Sequence, residues 1–463
     1  MNGKLIILCF CLVLVGPNID AQNKSKPNLI VIMADDLGYA DVGFNGCKDI
    51  PTPNIDRIAN EGIRFDEGYV SFPVCGPSRA GFLTGRYQDR FGFTTNPSID
   101  PNNPIAGLPI EEETMAQVLK KANYNNAIIG KWHMGTNAVF HPLERGFDYF
   151  YGFLSGGHNY FPEKLTLNNL SEVKRKWQWY STKIIENKAP VEIKEYLTDA
   201  LSNAAVNFID KQIKDNQQFM LYLAYNAPHT PLQADEKYLS RFPNIEDKKR
   251  KTYAAMVSAL DDGVGRVLDA LEKKDLDEDT IIVFLSDNGG ARNNASDNGP
   301  LRGLKGDLFE GGVRVPFAIR WKGVIPEGNS YKNPVSSLDI MATIVAQTNV
   351  KINPERPLDG VDLIPFLTGK NNGAPHDYLF WRKWDQNAMA IRHGNYKLVA
   401  NKKQDQETPK LFDLSIDVSE SKNLKSEKLK ISKDLQKKWN NWNKDLKERV
   451  FPALEEDNWW DKK

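Results

Sequence analysis

Residues 29–36 read LIVIMADD, an apolar run that stops on two adjacent carboxylates. Such a run, flanked by polar residues, is the pattern of a strand buried on both faces. Three further segments repeat it. Residues 280–285 (TIIVFL) lead into Ser286-Asp287-Asn288-Gly289-Gly290, and residues 219–225 (FMLYLAY) into Asn226-Ala227-Pro228-His229. Residues 126–129 lead into Gly130-Lys131-Trp132-His133. Helices are predicted between them at 115–122, 198–212 and 253–273, the last with apolar residues at helical spacing. Strands alternating with helices predict an α/β fold with a large, mostly parallel sheet sandwiched by helices. Ligands bind such sheets outside the carboxyl ends of the strands. Each predicted strand here ends on polar or ionisable residues, and buried carboxylates are costly unless paired or metal-bound. The recurrence points to one site assembled from several strand ends.

Composition narrows the class. The chain has 463 residues, 41% hydrophobic and 26% charged, which excludes a disordered or collagen-like chain. Sixty Lys plus Arg balance sixty Asp plus Glu, so nucleic acid is not expected as the main partner. Residues 1–21 carry Lys4, an apolar run at 5–15 and Ala21, the pattern of a secretory signal peptide. That run is too short to span a bilayer, which needs about 20 apolar residues, and no other stretch is long enough. The expectation is an exported protein, periplasmic or secreted, with no membrane span. Removal of Cys9 and Cys11 with the signal leaves Cys47 and Cys75, which an exported protein could pair. A catalytic α/β domain is expected over 22–374 and a small α+β subdomain over 375–463. The latter is predicted as short antiparallel strands at 378–381, 388–392, 397–400 and 410–414, with a Lys/Trp-rich helix at 426–449 packed on them.

The most specific segment is residues 75–86, CGPSRAGFLTGR. Pro77 suits a first helical turn and places Cys75 at a helix N-terminus, where amides and dipole favour an anion or thiolate. A cysteine nucleophile is the simple reading, but thiol chemistry does not call for several carboxylates at one strand-end site. Cys75-Gly76-Pro77-Ser78-Arg79 followed by Leu83-Thr84-Gly85-Arg86 resembles the signature of the type I sulfatases. A second family signature is matched at 130–135 (GKWHMG), although Asn123 and Asn126 depart from the usual flanking Gly and Thr. The resemblance continues in order through 227–231 (APHTP), 286–289 (SDNG), Gly303-Leu304-Lys305 with Glu310-Gly311-Gly312, and 390–398 (AIRHGNYKL).

This resemblance implies an alkaline phosphatase-like fold and a sulfuric ester hydrolase whose Cys75 is oxidised to Cα-formylglycine by a formylglycine-generating maturation enzyme. It implies that Asp35, Asp36, Asp287 and Asn288, with residue 75, hold a metal. These protein ligands offer oxygen, which fits a hard cation such as Ca²⁺. Hydrated formylglycine would attack sulfur with one hydroxyl, and the other would then lose a proton to expel sulfate. Lys131 and Lys305 would hold the sulfate oxygens, and Arg79 would orient the nucleophile. His133 would take the remaining proton, and His229 would protonate the leaving oxygen. Substrate contacts are expected from His158 in a Gly-rich loop, from Arg302, and from Trp381 and Arg382 in the aromatic-cationic run 381–385. The expected substrate is a sulfated polysaccharide or an oligosaccharide from it. The alternatives are a phosphomonoester or phosphonate hydrolase of the same fold, and a catalytically silent glycan-binding homologue.

Overall fold

The computed structural model describes residues 26–215, 217–402 and 408–462. The predicted signal peptide at 1–21 lies outside them. Its organising element is a ten-stranded mixed sheet. Five central strands run parallel in the spatial order Thr280–Ser286, Asn28–Ala34, Phe219–Ala224, Asn125–Lys131 and Tyr149–Phe153. Antiparallel Phe317–Arg320 flanks them on one side and Ile184–Glu186 on the other.

Alternate residues of the first strand explain why it is apolar throughout. Ile30, Ile32 and Ala34 face a core built with helices Pro53–Asn60, Leu197–Asp215 and Lys248–Glu272. Leu29, Val31 and Met33 face a second core with helices Cys75–Thr84, Met115–Lys120 and Asp339–Thr348. The sandwiched, mostly parallel architecture expected from the sequence is therefore observed. The helix expected from Tyr253 starts at Lys248 instead, because Asp247 caps it by accepting the Arg250 amide at 2.7 Å. Its first turn is polar and carries no apolar periodicity.

The four C-terminal strands, Leu379–Lys383, Ala388–His393, Tyr396–Ala400 and Lys410–Asp413, form an antiparallel sheet in chain order. Helix Leu429–Asn443 covers one face through Leu435 and Trp439. Trp381, Ala390, Val399 and Phe412 on the other face pack against Tyr69, Leu308, Phe309 and Val313 of the large domain. Beyond that helix the chain returns to the large domain, where Phe451 meets Phe93 and Trp460 meets Trp179. Cys47 and Cys75 are both free, so they are not paired with each other. No helix among the described residues is long and apolar enough to cross a membrane.

One buried pair makes the fold sensitive to pH. His376 Nε2 lies 2.8 and 3.0 Å from the two carboxylate oxygens of Asp339, which also accepts the amides of Ser336 and Val361. Burial alone would lower the His376 pKa, but Asp339 outweighs it and holds it above the ordinary 6.5. A raised folded-state value means the pair stabilises fully below that ordinary value and loses its ionic part as pH rises through the folded value. His376→Ala is expected to cost about 2 kcal/mol near pH 6 in denaturant unfolding, and the gap to the unsubstituted protein should narrow by pH 9.

Candidate active site

Strand register assembles the site. Ala34 pairs with Ser286 and Met33 with Ala224, so Asp35-Asp36, Asp287-Asn288 and the loop to His229 leave the sheet side by side. Gly130 pairs with Ala224, which brings Lys131 to the same edge. Gly130 has φ +110° and a Cβ there would stand 1.9 Å from the Ala224 carbonyl oxygen, so only glycine fits where this strand turns toward the site. Helix Cys75–Thr84 contributes its N-terminus, with Val74 extended ahead of it and the Gly76 amide bonded to Asn96 Oδ1 at 3.0 Å.

The charges interlock. Lys131 Nζ donates to Asp35 Oδ2 at 2.6 Å, and Arg79 Nε to Asp287 Oδ2 at 2.8 Å, all four side chains fully buried. Arg79 Nη1 also donates to the Lys131 carbonyl at 3.1 Å and the Tyr222 hydroxyl at 3.3 Å. Lys305 Nζ reaches both Asp36 oxygens, at 2.7 and 2.9 Å, and lies 3.1 Å from Cys75 Sγ. Asn288 Nδ2 donates to Asp36 Oδ1 at 2.7 Å, and His229 Nε2 is 3.7 Å from Asp36 Oδ2. Three carboxylates thus face three basic side chains, which balances the formal charge of the cluster.

Several buried atoms have no protein partner: Asp35 Oδ1, Asn288 Oδ1, Arg79 Nη2 and both ring nitrogens of His133. Ligand atoms of Asp35, Asp36, Cys75 and His229 lie within 4.8 Å of one another. A buried carboxylate oxygen and a buried amide oxygen left without donors are the groups a hard cation satisfies. The residues present therefore fit a metal of the calcium or magnesium type. His229 is in this group although it was not among the expected ligands, and Asp287 is turned to Arg79 and to the Asp36 amide.

Burial sets the protonation states. It pushes the Cys75 thiol up to about 11 against the opposing pull of Lys131 and Lys305, so the unmodified side chain is a neutral thiol. Burial, then Lys131 and Arg79, hold His133 well below the ordinary histidine range. His229 is lowered by burial to about 3, although Asp36 pulls the other way. Both are neutral imidazoles. Burial raises Asp35 to about 7 despite Lys131, whereas at Asp36 burial is outweighed, chiefly by Lys305, and the carboxyl stays below its usual range.

These groups open into a cleft of about 420 Å³ lined by Cys75, His133, His229, Lys305, Tyr180 and Trp177. A larger groove of about 670 Å³ near Tyr149 and Phe208 contains none of this chemistry. Four expected substrate contacts fall outside the cleft. His158 is fully buried against Phe153 and engages the Asn159 carbonyl at 3.0 Å. Trp381 is buried beside Tyr69 and donates to the Val70 carbonyl, and Arg382 donates to the Lys447 carbonyl. Arg302 is exposed, lies 4.0 Å over the Phe309 ring, and donates to the Glu420 carbonyl. The run 381–385 begins in a strand whose two faces are both covered, so Trp381, Arg382 and Lys383 serve packing. Trp177 and Tyr180, which line the cleft, were not among the expected contacts; their signal in the sequence is the run KRKWQWY at 174–180.

A family model described as sulfatase matches residues 27–350, and a second, N-sulphoglucosamine sulphohydrolase C-terminal, matches residues 305–445. Mouse N-acetylgalactosamine-6-sulfatase is 34% identical over 390 residues, covering 81% of this chain and 72% of the relative. Human steryl-sulfatase is 31% identical over 432 residues, covering 78% and 73% respectively. A solved structure, Ps i-CgsB in complex with k-i-k-neocarrahexaose, superposes with a TM-score of 0.86 at 40% identity, covering 92% of this chain and 94% of that one. With the strand-end site in place and the family model spanning most of its length, the chain belongs to the type I sulfatases of the alkaline phosphatase superfamily and is a sulfatase enzyme.

Proposed function

We propose that this sulfatase removes sulfate from a sulfated carbohydrate, using Cα-formylglycine made from Cys75 and a calcium ion held by Asp35, Asp36, Asp287 and Asn288. The observation that carries this reading is the setting of residue 75. It sits at a helix N-terminus on the floor of the cleft, 3.1 Å from the partly buried Lys305, yet as a thiol it stays protonated to about pH 11. A site so rich in cations and carboxylates holds an oxyanion far better than it activates sulfur. The carbohydrate part is supported by two relatives, one named for N-acetylgalactosamine 6-sulfate and one crystallised with a neocarrahexaose.

Bound calcium and formylglycine supply positive charge and an oxygen nucleophile; the remaining work falls to this chain's side chains. Buried Lys131 and partly buried Lys305 bring positive charge to the sulfate oxygens, where a reduced dielectric magnifies it. Arg79, fixed by Asp287 and Tyr222, holds the N-terminal turn of its helix against the strand ends. His133, neutral and with neither ring nitrogen bonded, can accept a proton at the cleft floor. His229 keeps Nδ1 occupied by donating to the Thr230 carbonyl at 2.6 Å, so Nε2 is its proton-exchanging atom. The negative charge of an arriving sulfate ester favours the imidazolium and lets Nε2 protonate the departing oxygen. Export through the 1–21 segment and maturation by a formylglycine-generating enzyme belong to the same reading.

Two outcomes test it. Purified matured protein should release sulfate from sulfated oligosaccharides at least about a hundredfold faster than phosphate from phosphomonoesters, measured by ion chromatography. Equal or reversed preference would establish the phosphate-ester alternative. Asp287→Asn keeps an acceptor for buried Arg79, whereas Ala would strand that cation at a cost of about 3–5 kcal/mol. The Asn variant should stay folded, lose about 10²-fold or more in kcat, and bind calcium at least about tenfold more weakly by calorimetry. Unchanged calcium affinity removes Asp287 from the metal set.

A further inference from the structure

Within residues 174–180, Lys-Arg-Lys-Trp-Gln-Trp-Tyr, the aromatic residues Trp177, Trp179 and Tyr180 line one side of the cleft, and the three cations immediately precede them in the chain. Trp177 is 52% exposed in a chain whose other aromatic side chains mostly fill the core. Its backbone sits at φ +67°, in the left-handed region that a bulky residue rarely occupies. Such a conformation persists only where its surroundings hold it, and it gathers at binding sites. Here the holding groups are visible. The Trp177 carbonyl accepts the Tyr180 amide at 3.1 Å, and its ring lies 5.2 Å from Trp179 and 5.7 Å from Tyr180. Trp179 is buried against Trp460 of the C-terminal segment, 5.4 Å away. Tyr180 turns inward, its hydroxyl standing where Gly157 leaves no room for a side chain. An aromatic wall therefore runs from beside Cys75 out to solvent.

Three cations lie beside that wall, and one exposed carboxylate, Glu455, also lines the cleft. Lys174, Arg175 and Lys176 are all exposed, and none forms an ion pair among the described residues. Lys176 Nζ lies 5.2 Å over the Trp177 ring. Since the chain as a whole is neutral, three unpaired cations next to an exposed indole at the cleft mouth form a local anion-binding surface with a stacking platform in its midst. An apolar sugar face and flanking sulfates match both features.

We propose that residues 174–180 bind the sugar units flanking the scissile sulfate in a glycan carrying sulfates on neighbouring units. Trp177 stacks on one sugar face, and Lys174, Arg175 and Lys176 pair with the additional sulfates. This rests on the sulfated-carbohydrate reading and adds to it a polyanionic chain, rather than a singly sulfated small molecule, as substrate class. Specificity of this kind acts on the affinity for longer chains and leaves the scissile sulfate to the buried cluster.

The test is calorimetric binding to full-length Cys75→Ala protein, which holds substrate without turnover. The probes are hexasaccharides of a carrageenan and of a sulfated N-acetylgalactosamine polymer, with the matching disaccharides. Trp177→Ala should weaken binding of the preferred hexasaccharide about tenfold or more, with a smaller loss for its disaccharide, and Trp177→Phe should recover most of it. Replacing Lys174, Arg175 and Lys176 by Gln should flatten the salt dependence of hexasaccharide binding. Unchanged hexasaccharide affinity in Trp177→Ala overturns the proposal alone, as do equal losses for hexasaccharide and disaccharide. Failure of the parent protein to bind any of the four sugars overturns the carbohydrate reading and this proposal with it.

Discussion

Three carboxylates at the ends of adjacent parallel strands, Asp35, Asp36 and Asp287, are removed from water and must be neutralised where they stand. Burying one uncompensated carboxylate costs several kcal/mol, more than a marginally stable fold can absorb three times. The chain meets that constraint with Lys131 from the strand two places along the sheet from Asn28–Ala34, Arg79 from a helix and Lys305 from a long loop. Each of the three cations therefore ties a distant segment to the sheet edge. The geometry that satisfies the carboxylates is the same one that surrounds residue 75 with positive charge.

The C-terminal sheet serves this arrangement from behind. Buried Lys397 pairs with Glu310 at 2.8 Å and Glu420 at 3.2 Å, and Tyr69 donates to Glu310 at 2.6 Å. Asn401 accepts the Leu308 amide and Lys383 donates to the Gly306 carbonyl, both at 2.6 Å. These contacts hold the segment immediately after Lys305. The small sheet thus positions a cation of the site, which accounts for why its own aromatic and basic residues are buried or engaged with backbone carbonyls.

Much of this was legible in the chain because a strand buried on both faces leaves an unmistakable apolar run. Residues 29–34 and 280–285 marked both the sheet and its functional edge, and the carboxylates and histidines following such runs could be assigned to one place. Element boundaries were less legible: the helix capped by Asp247 begins with a polar turn that carries no periodic signal. Substrate contacts were least so. The run at 381–385 and the run at 174–180 are both aromatic and cationic, and only the covered faces of the C-terminal sheet separate the packed one from the exposed one. His158 was misplaced for a similar reason, since a histidine in a glycine-rich loop gives no sign of whether its ring turns outward or, as here, against Phe153.

The central claim, that residue 75 acts as an oxygen nucleophile made from cysteine, is tested most directly by peptide mass spectrometry of protein produced with a maturation enzyme and shown to release sulfate. The peptide containing Cys75 should be about 18 Da lighter than its thiol form, the change from a CH₂SH group to an aldehyde. A fully active preparation in which that peptide retains the mass of the thiol would contradict the account.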